Sequence, residues 1–253
     1  MTTVLALHGW PGSRDDFATV AGLLDAEVLR PDLVGFGSRP DGDPSAAGQV
    51  VRLLDELPDE QVVVAGYDVG SRVGQALARD HPERVKALVV TPPLPGAGRR
   101  VLEPSPQREF WYQAFHQLEL AEQLVDGRPD AVRAYLRHFW SHWSGPDFVV
   151  SGARLDALTS LYGPPGAFTA SIGWYRAGSG MVATSLAEQP PAQPITVPTT
   201  ILWPDHDPLF PREWSDRLGE WFTAFDLRPV AGVGHFVPVE APEVFAAAVT
   251  EYL

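Results

Sequence analysis

Apolar residues along this chain fall into two alternating patterns. Short, largely apolar runs at residues 4–7, 61–66, 85–90 and 199–203 have the length and density of strands buried on both faces, and residues 27–33 and 225–230, where charges and a proline interrupt the apolar residues, are read as two further strands. Between them, residues 15–24, 45–57, 71–79, 213–222 and 240–252 place apolar side chains three and four apart, the spacing of a helix with one buried stripe. In the second helix Val50, Leu53, Leu54 and Leu57 share that stripe. Strand alternating with helix predicts an α/β fold: a mostly parallel sheet with helices on both faces.

The alternation stops after residue 90. Residues 91–98 (Thr-Pro-Pro-Leu-Pro-Gly-Ala-Gly) and 189–198 (Gln-Pro-Pro-Ala-Gln-Pro-Ile-Thr-Val-Pro) are turn-rich boundaries, and the block between them is helical in pattern and crowded with rings, from Phe110, Trp111, Tyr112 and Phe115 to Trp174 and Tyr175. We therefore expect a core built from residues 1–95 and 198–253, with residues 96–197 inserted as a helical cap. A block of this kind is suited to a lid over the strand ends or to a homodimer surface.

Composition narrows the chemistry. In 253 residues, 45% of them hydrophobic, there is material for a full core. The formal net charge is −13 and only one lysine, Lys86, occurs, so no nucleic acid or anionic membrane is expected as a partner. The absence of cysteine excludes disulfides, thiolate nucleophiles and cysteine-based zinc sites. The opening residues lack a basic segment and a long apolar run, which is read as a cytoplasmic protein. His138 and His142 stand one helical turn apart, compatible with a metal, but no third ligand is near in sequence, and no metal is expected. His206, between two aspartates, is read as a loop residue.

Three loops that follow predicted strands carry the candidate chemistry. Gly66-Tyr67-Asp68-Val69-Gly70 brackets an aspartate with glycines, which permit a sharp turn from strand into helix with a reactive side chain at its tip. The plain alternative is that Asp68 caps the helix behind it. Asp207, or its neighbour Asp205, follows residues 199–203, and His235 follows the strand at 225–230. Nucleophile, acid and histidine in that chain order, each just beyond a strand, form a catalytic constellation. With a carboxylate as the attacking group, the covalent intermediate is an alkyl ester.

These motifs resemble the α/β-hydrolase superfamily, and within it the branch that places aspartate at the nucleophile elbow: epoxide hydrolases, haloalkane dehalogenases and fluoroacetate dehalogenases. The likeness runs the length of the chain, which starts at what is usually the third strand of that fold. His8-Gly9-Trp10-Pro11 matches the H-G-x-P oxyanion motif, and Val233-Gly-His235-Phe the terminal histidine loop. Pro204-Asp-His-Asp207 stands where the family has G-x-x-D, which favours Asp207 as the acid. The resemblance implies an oxyanion hole from the backbone N–H groups of Trp10 and Val69, and neither metal nor organic cofactor. Phe110-Trp-Tyr112-Gln and Trp174-Tyr175-Arg are similar to the two tyrosine motifs by which epoxide hydrolases hold the epoxide oxygen. A phenol can hydrogen-bond that oxygen and protonate it as the ring opens. The expected substrate is a lipophilic or aryl epoxide, with Phe36, Phe210 and Phe236 as candidate pocket residues. A dehalogenase is the alternative. Haloalkane dehalogenases typically carry a tryptophan, and fluoroacetate dehalogenases an arginine, directly after the nucleophile, where this chain has Val69; Arg72 is shared with the latter. A non-catalytic receptor on the same fold, a more distant alternative, would be expected to have lost one of these elements.

Overall fold

A computed structural model describes residues 2–253. Six strands, β1 (Thr3–Leu7), β2 (Glu27–Leu29), β3 (Val62–Gly66), β4 (Val85–Val90), β5 (Thr199–Pro204) and β6 (Phe225–Val230), form one parallel sheet in the order β2-β1-β3-β4-β5-β6. Every residue of β1, β3 and β5 is buried, as expected for strands covered on both faces. The edge strand β6 carries exposed Asp226 and half-buried Arg228, charges that discourage pairing with another chain. Helices α1 (Ala18–Leu23), α2 (Ala46–Leu54), α3 (Val69–Asp80), α12 (Val237–Glu240) and α13 (Pro242–Thr250) cover the sheet, α1 packing on α13 and α2 on α3.

Topology locates the site. From β1 the chain passes outward to β2 and then returns to the other side of β1 as β3, so consecutive connections diverge between β1 and β3. A crevice opens at the carboxyl ends of strands where such a reversal occurs. Register brings Leu7, Gly66 and Val90, the last residues of β1, β3 and β4, level with one another, and the loops leaving the first two meet there.

Between β4 and β5 the chain runs through a 3-10 turn (Gly98–Leu102) and eight helices: α4 (Pro104–Glu109), α5 (Trp111–His116), α6 (Glu119–Val125), α7 (Pro129–His142), α8 (Gly152–Tyr162), α9 (Ala167–Ser171), α10 (Gly173–Arg176) and α11 (Met181–Ala187). Their buried rings join the same hydrophobic cluster as the sheet. Among the described residues no helix is long and apolar enough to cross a membrane.

Three elements depart from the pattern reading. The strand expected at 27–33 ends at Leu29, because Pro31 has no N–H to continue a ladder. The helix expected at 213–222 is a run of 3-10 turns (Arg212–Glu220) whose buried residues are only Trp214 and Leu218. The closing helix is broken at Ala241, which precedes Pro242 and is held at φ −139°, outside the helical region.

Candidate active site

The turn after β3 sets the nucleophile. Asp68 has φ 50° and ψ −121°, the one non-glycine residue with positive φ among the described residues. Such a conformation costs on the order of 1–3 kcal/mol and persists only where packing enforces it. Here the turn is pressed into the sheet: a Cβ at Gly66 would lie 2.6 Å from the Gly70 carbonyl oxygen, and one at Gly70 only 2.0 Å from that of Leu7. Asp68 occupies the N-cap position of α3, yet its side chain makes no bond to that helix. The carboxylate faces the other way. Its Oδ1 accepts the Trp10 N–H at 2.7 Å, and its Oδ2 lies 3.2 Å from His235 Nε2.

His235 is fully buried between two carboxylates, with Asp207 Oδ2 2.7 Å from Nδ1. Asp207 is itself held by the Leu209 N–H, whereas Asp205 is exposed and lies beside His206. Burial alone would lower the imidazole pKa, but the charges and hydrogen bonds of Asp207 and Asp68 reverse this and push it up to about 10. The two flanking carboxylates therefore favour the protonated form of the ring. Its loop is anchored by Glu240, whose carboxylate accepts the N–H groups of Gly145, Gly234 and Phe236, while Trp143 O accepts the His235 N–H at 2.7 Å.

The loop after β1 completes the floor. His8 Nε2 accepts the Leu33 N–H and His8 Nδ1 bonds Gly9 O, so the buried, neutral ring ties this loop to the one after β2. A Cβ at Gly9 would stand 2.4 Å from Asp68 Cβ, which explains the glycine. The Trp10–Pro11 peptide is cis. Of the two N–H groups expected from sequence to form an oxyanion hole, that of Trp10 donates to Asp68 Oδ1, and that of Val69 lies in the first turn of α3, where no intrahelical acceptor exists.

Tyr112 and Tyr175, 63 residues apart, are brought together above Asp68. Their ring centroids are 5.5 Å apart and perpendicular, and both pack on the Trp10 indole, Tyr112 stacked at 5.5 Å and Tyr175 edge-on at 5.7 Å. Both are buried. Burial first, with the Asp68 charge adding to it, pushes both phenols above their ordinary value, so each retains its proton as a donor.

Of the three phenylalanines expected to line a pocket, Phe210 lies between Phe110 and His235, at 5.8 and 6.0 Å. The other two pack against neighbouring rings. Phe236 is fully buried and stacked 3.7 Å from Trp140, and Phe36 packs edge-on against His8 and Tyr162. Arg72 is engaged by Glu188 at 2.7 Å and is not aimed at Asp68. His142 pairs with Glu109, and among the described residues no cluster of metal-ligating side chains occurs.

Several supports escaped the sequence reading. Trp140 Nε1 donates to Pro11 O at 2.8 Å, and Tyr162 both donates to Gly12 O and accepts from Gly12 N–H. Arg154, lying over the Trp140 ring, pairs with buried Asp16, which also accepts the Tyr67 hydroxyl at 2.6 Å. Of these, only Asp16 carries a local signal, the capping-box pattern Ser13-x-x-Asp16. The insert's partners join residues more than 100 positions apart and have none.

A nucleophile at the tip of a strand-to-helix turn, with its acid and histidine on later strand-end loops of a parallel sheet, defines a hydrolase of the α/β type. The chain belongs to the α/β-hydrolase fold family, whose model matches residues 2–242. It is 27% identical, over 300 residues covering 99% of this chain and 86% of the relative, to the epoxide hydrolase srdG of Neurospora crassa. It is 29% identical, over 190 residues covering 69% of this chain and 62% of the relative, to a fluoroacetate dehalogenase of a Burkholderia species. Among solved structures, the epoxide hydrolase CorEH matches with a TM-score of 0.85 over 100% of this chain and 91% of its own, at 23% identity, a likeness of fold.

Proposed function

We propose that the protein is an epoxide hydrolase that opens a lipophilic or aryl epoxide to a vicinal diol. The observation that carries this reading is the pair of buried, protonated phenols of Tyr112 and Tyr175, side by side over a carboxylate nucleophile. Asp68 attacks an epoxide carbon in line, the carbon–oxygen bond of the ring breaks, and a phenol supplies the proton to the departing oxygen. The product is a hydroxyalkyl ester on Asp68. Ester formation removes the Asp68 charge, one of the two that hold the proton on His235. His235 then gives up that proton, which returns to the phenolate left by the first step, and the neutral imidazole, oriented by Asp207, becomes a competent base. Water activated by His235 attacks the Asp68 carbonyl carbon, the Trp10 and Val69 N–H groups stabilise the oxyanion, and the diol leaves.

The dehalogenase reading draws on the Burkholderia relative, whose similarity is of the same order as that of the epoxide hydrolase. Two observations weigh against it. Arg72 is neutralised by Glu188, and the residue after the nucleophile is buried, apolar Val69. Repeated turnover of an aryl epoxide in heavy-oxygen water, followed by mass analysis of the Asp68 peptide, tests the proposal. Label in the Asp68 side chain is the expected result. An unlabelled peptide after full conversion would mean direct attack by water, and turnover of fluoroacetate but of no epoxide would replace the reading altogether.

A further inference from the structure

Gln113 follows Tyr112 on α5 and is buried at 7% exposure, yet the scheme above leaves it unused. Its Oε1 accepts the Val182 N–H at 3.1 Å, where α11 begins, and its Nε2 lies 3.2 Å from the Tyr112 hydroxyl. The orientation of this amide is determined: the Val182 N–H can only donate, so the amide oxygen must face it and the NH2 must face the phenol. Gly180 makes the space, since a Cβ there would stand 2.8 Å from Gln113 Oε1 and 3.0 Å from Tyr175 Cδ1.

An N–H pointed at a phenol oxygen has two consequences. It cannot receive the phenol's proton, so the O–H bond turns away from Gln113. It also strengthens when that oxygen becomes a phenolate, because a charged acceptor holds a donor roughly twice as well as a neutral one. Tyr175 has no matching amide: its hydroxyl hydrogen-bonds Tyr112, and the neighbouring amide, Gln117, donates to the backbone carbonyl of Tyr175 and not to its hydroxyl.

We infer that Tyr112 is the phenol that delivers the proton to the epoxide oxygen, and that Gln113 is its positioning residue, aiming the O–H and holding the phenolate left behind. The inference rests on the epoxide reading. As the Asp68–carbon bond forms and the ring carbon–oxygen bond breaks, the oxygen's electron pair takes the Tyr112 proton. The proton that His235 gives up on becoming a base restores the phenol, and the proton it then takes from water returns the ring to its protonated form. Tyr175 then serves as a second hydrogen-bond donor that keeps its proton.

Gln113→Glu is the discriminating variant. It preserves shape and still accepts from Val182, but an ionised carboxylate has nothing to donate to Tyr112. With styrene oxide at neutral pH, kcat is expected to fall at least about 10-fold with KM nearly unchanged, the size of a general-acid effect partly lost. Activity should recover as pH falls through the new carboxyl's titration, where its protonated form donates again, a limb the native protein lacks. In the native background Tyr112→Phe should cost at least about 10-fold more kcat than Tyr175→Phe. A Gln113→Glu variant with native kcat, or with a loss that does not depend on pH, or equal losses for the two phenylalanine variants, would overturn the inference. Should no epoxide be turned over by the native protein, the functional reading fails by itself. The bond is then judged without turnover: the side-chain amide nitrogen resonance of Gln113 should move in Tyr112→Phe and stay in Tyr175→Phe, and the reverse would refute the assignment.

Discussion

The strand ends and the helical insert each contribute half of the site, and they hold their residues by different means. At the strand ends, position is a matter of backbone: Asp68 sits in a turn closed by glycines with no room for a Cβ, and Asp207 and His235 are locked by short, charge-assisted hydrogen bonds. In the insert, Tyr112 and Tyr175 are placed by interlocking rings around Trp10, with Phe139 and Trp143 on its other sides. The difference teaches where each half tolerates change. Backbone geometry fails abruptly, whereas aromatic packing adjusts its shape, so change is tolerated less at the strand ends than in the insert.

The contrast is broken most severely at the rigid half. Asp68→Ala should lower kcat by at least about 10⁴-fold, because no other group can form the ester. His235→Gln should leave the first step intact, so that the protein gains the mass of one substrate molecule and holds it; mass spectrometry after mixing checks this, and an unmodified variant would contradict the two-step scheme.

A smaller effect tests the seam between the halves. Tyr162→Phe leaves the Gly12 N–H and carbonyl without their side-chain partner in a buried place, which should cost about 1–3 kcal/mol in denaturant unfolding and slow turnover through a loosened oxyanion loop. If stability fell with kcat unchanged, the seam would be purely structural.

Smaller still is the pH dependence of stability. The folded His235 pKa, about 10, exceeds the ordinary 6.5, so its imidazolium stabilises the fold fully below 6.5 and loses that contribution as pH rises through 10. The stability difference between the native protein and His235→Gln should narrow over that window; a constant difference would place the proton elsewhere. Least of all, Arg72→Ala should change kcat by less than about 2-fold and stability by at most about 1 kcal/mol, the range of a partly exposed ion pair. A selective loss of activity toward substrates bearing a carboxylate would restore the dehalogenase reading.

How much was legible follows the same division. The six strands, their parallel arrangement and the turn at Asp68 could be read because apolar runs and glycine spacing are local properties of the chain. The strand after residue 29 and the last helix were overextended because Pro31 and Pro242 act through a missing N–H that an apolar pattern does not register. At the site, Trp10, Asp68, Val69, Tyr112, Tyr175, Asp207 and His235 stood in recognisable motifs. Trp140, Arg154, Tyr162 and Glu240 did not, since each acts through a partner that only folding supplies, and Gln113 and Asp16, though within local patterns, have bonds to Val182 and Tyr67 that no pattern shows.

The bonds that fasten the insert are unevenly distributed. Trp140, Tyr162 and Arg154 all end on residues 11–16, so lifting that margin would sacrifice several buried polar bonds and unseat the oxyanion donor at Trp10. On the opposite margin a cavity of about 470 Å³, large enough for a drug-sized molecule, opens between the 3-10 turn at Gly98–Leu102, α5 and α11. Phe110, Gln113 and Tyr175 line it, and the Gln113–Val182 bond spans the two helices there. The same amide that touches the phenol thus forms part of a cavity wall, and this margin is tied to the core by Arg100 on Asp216 and Glu188 on Arg72.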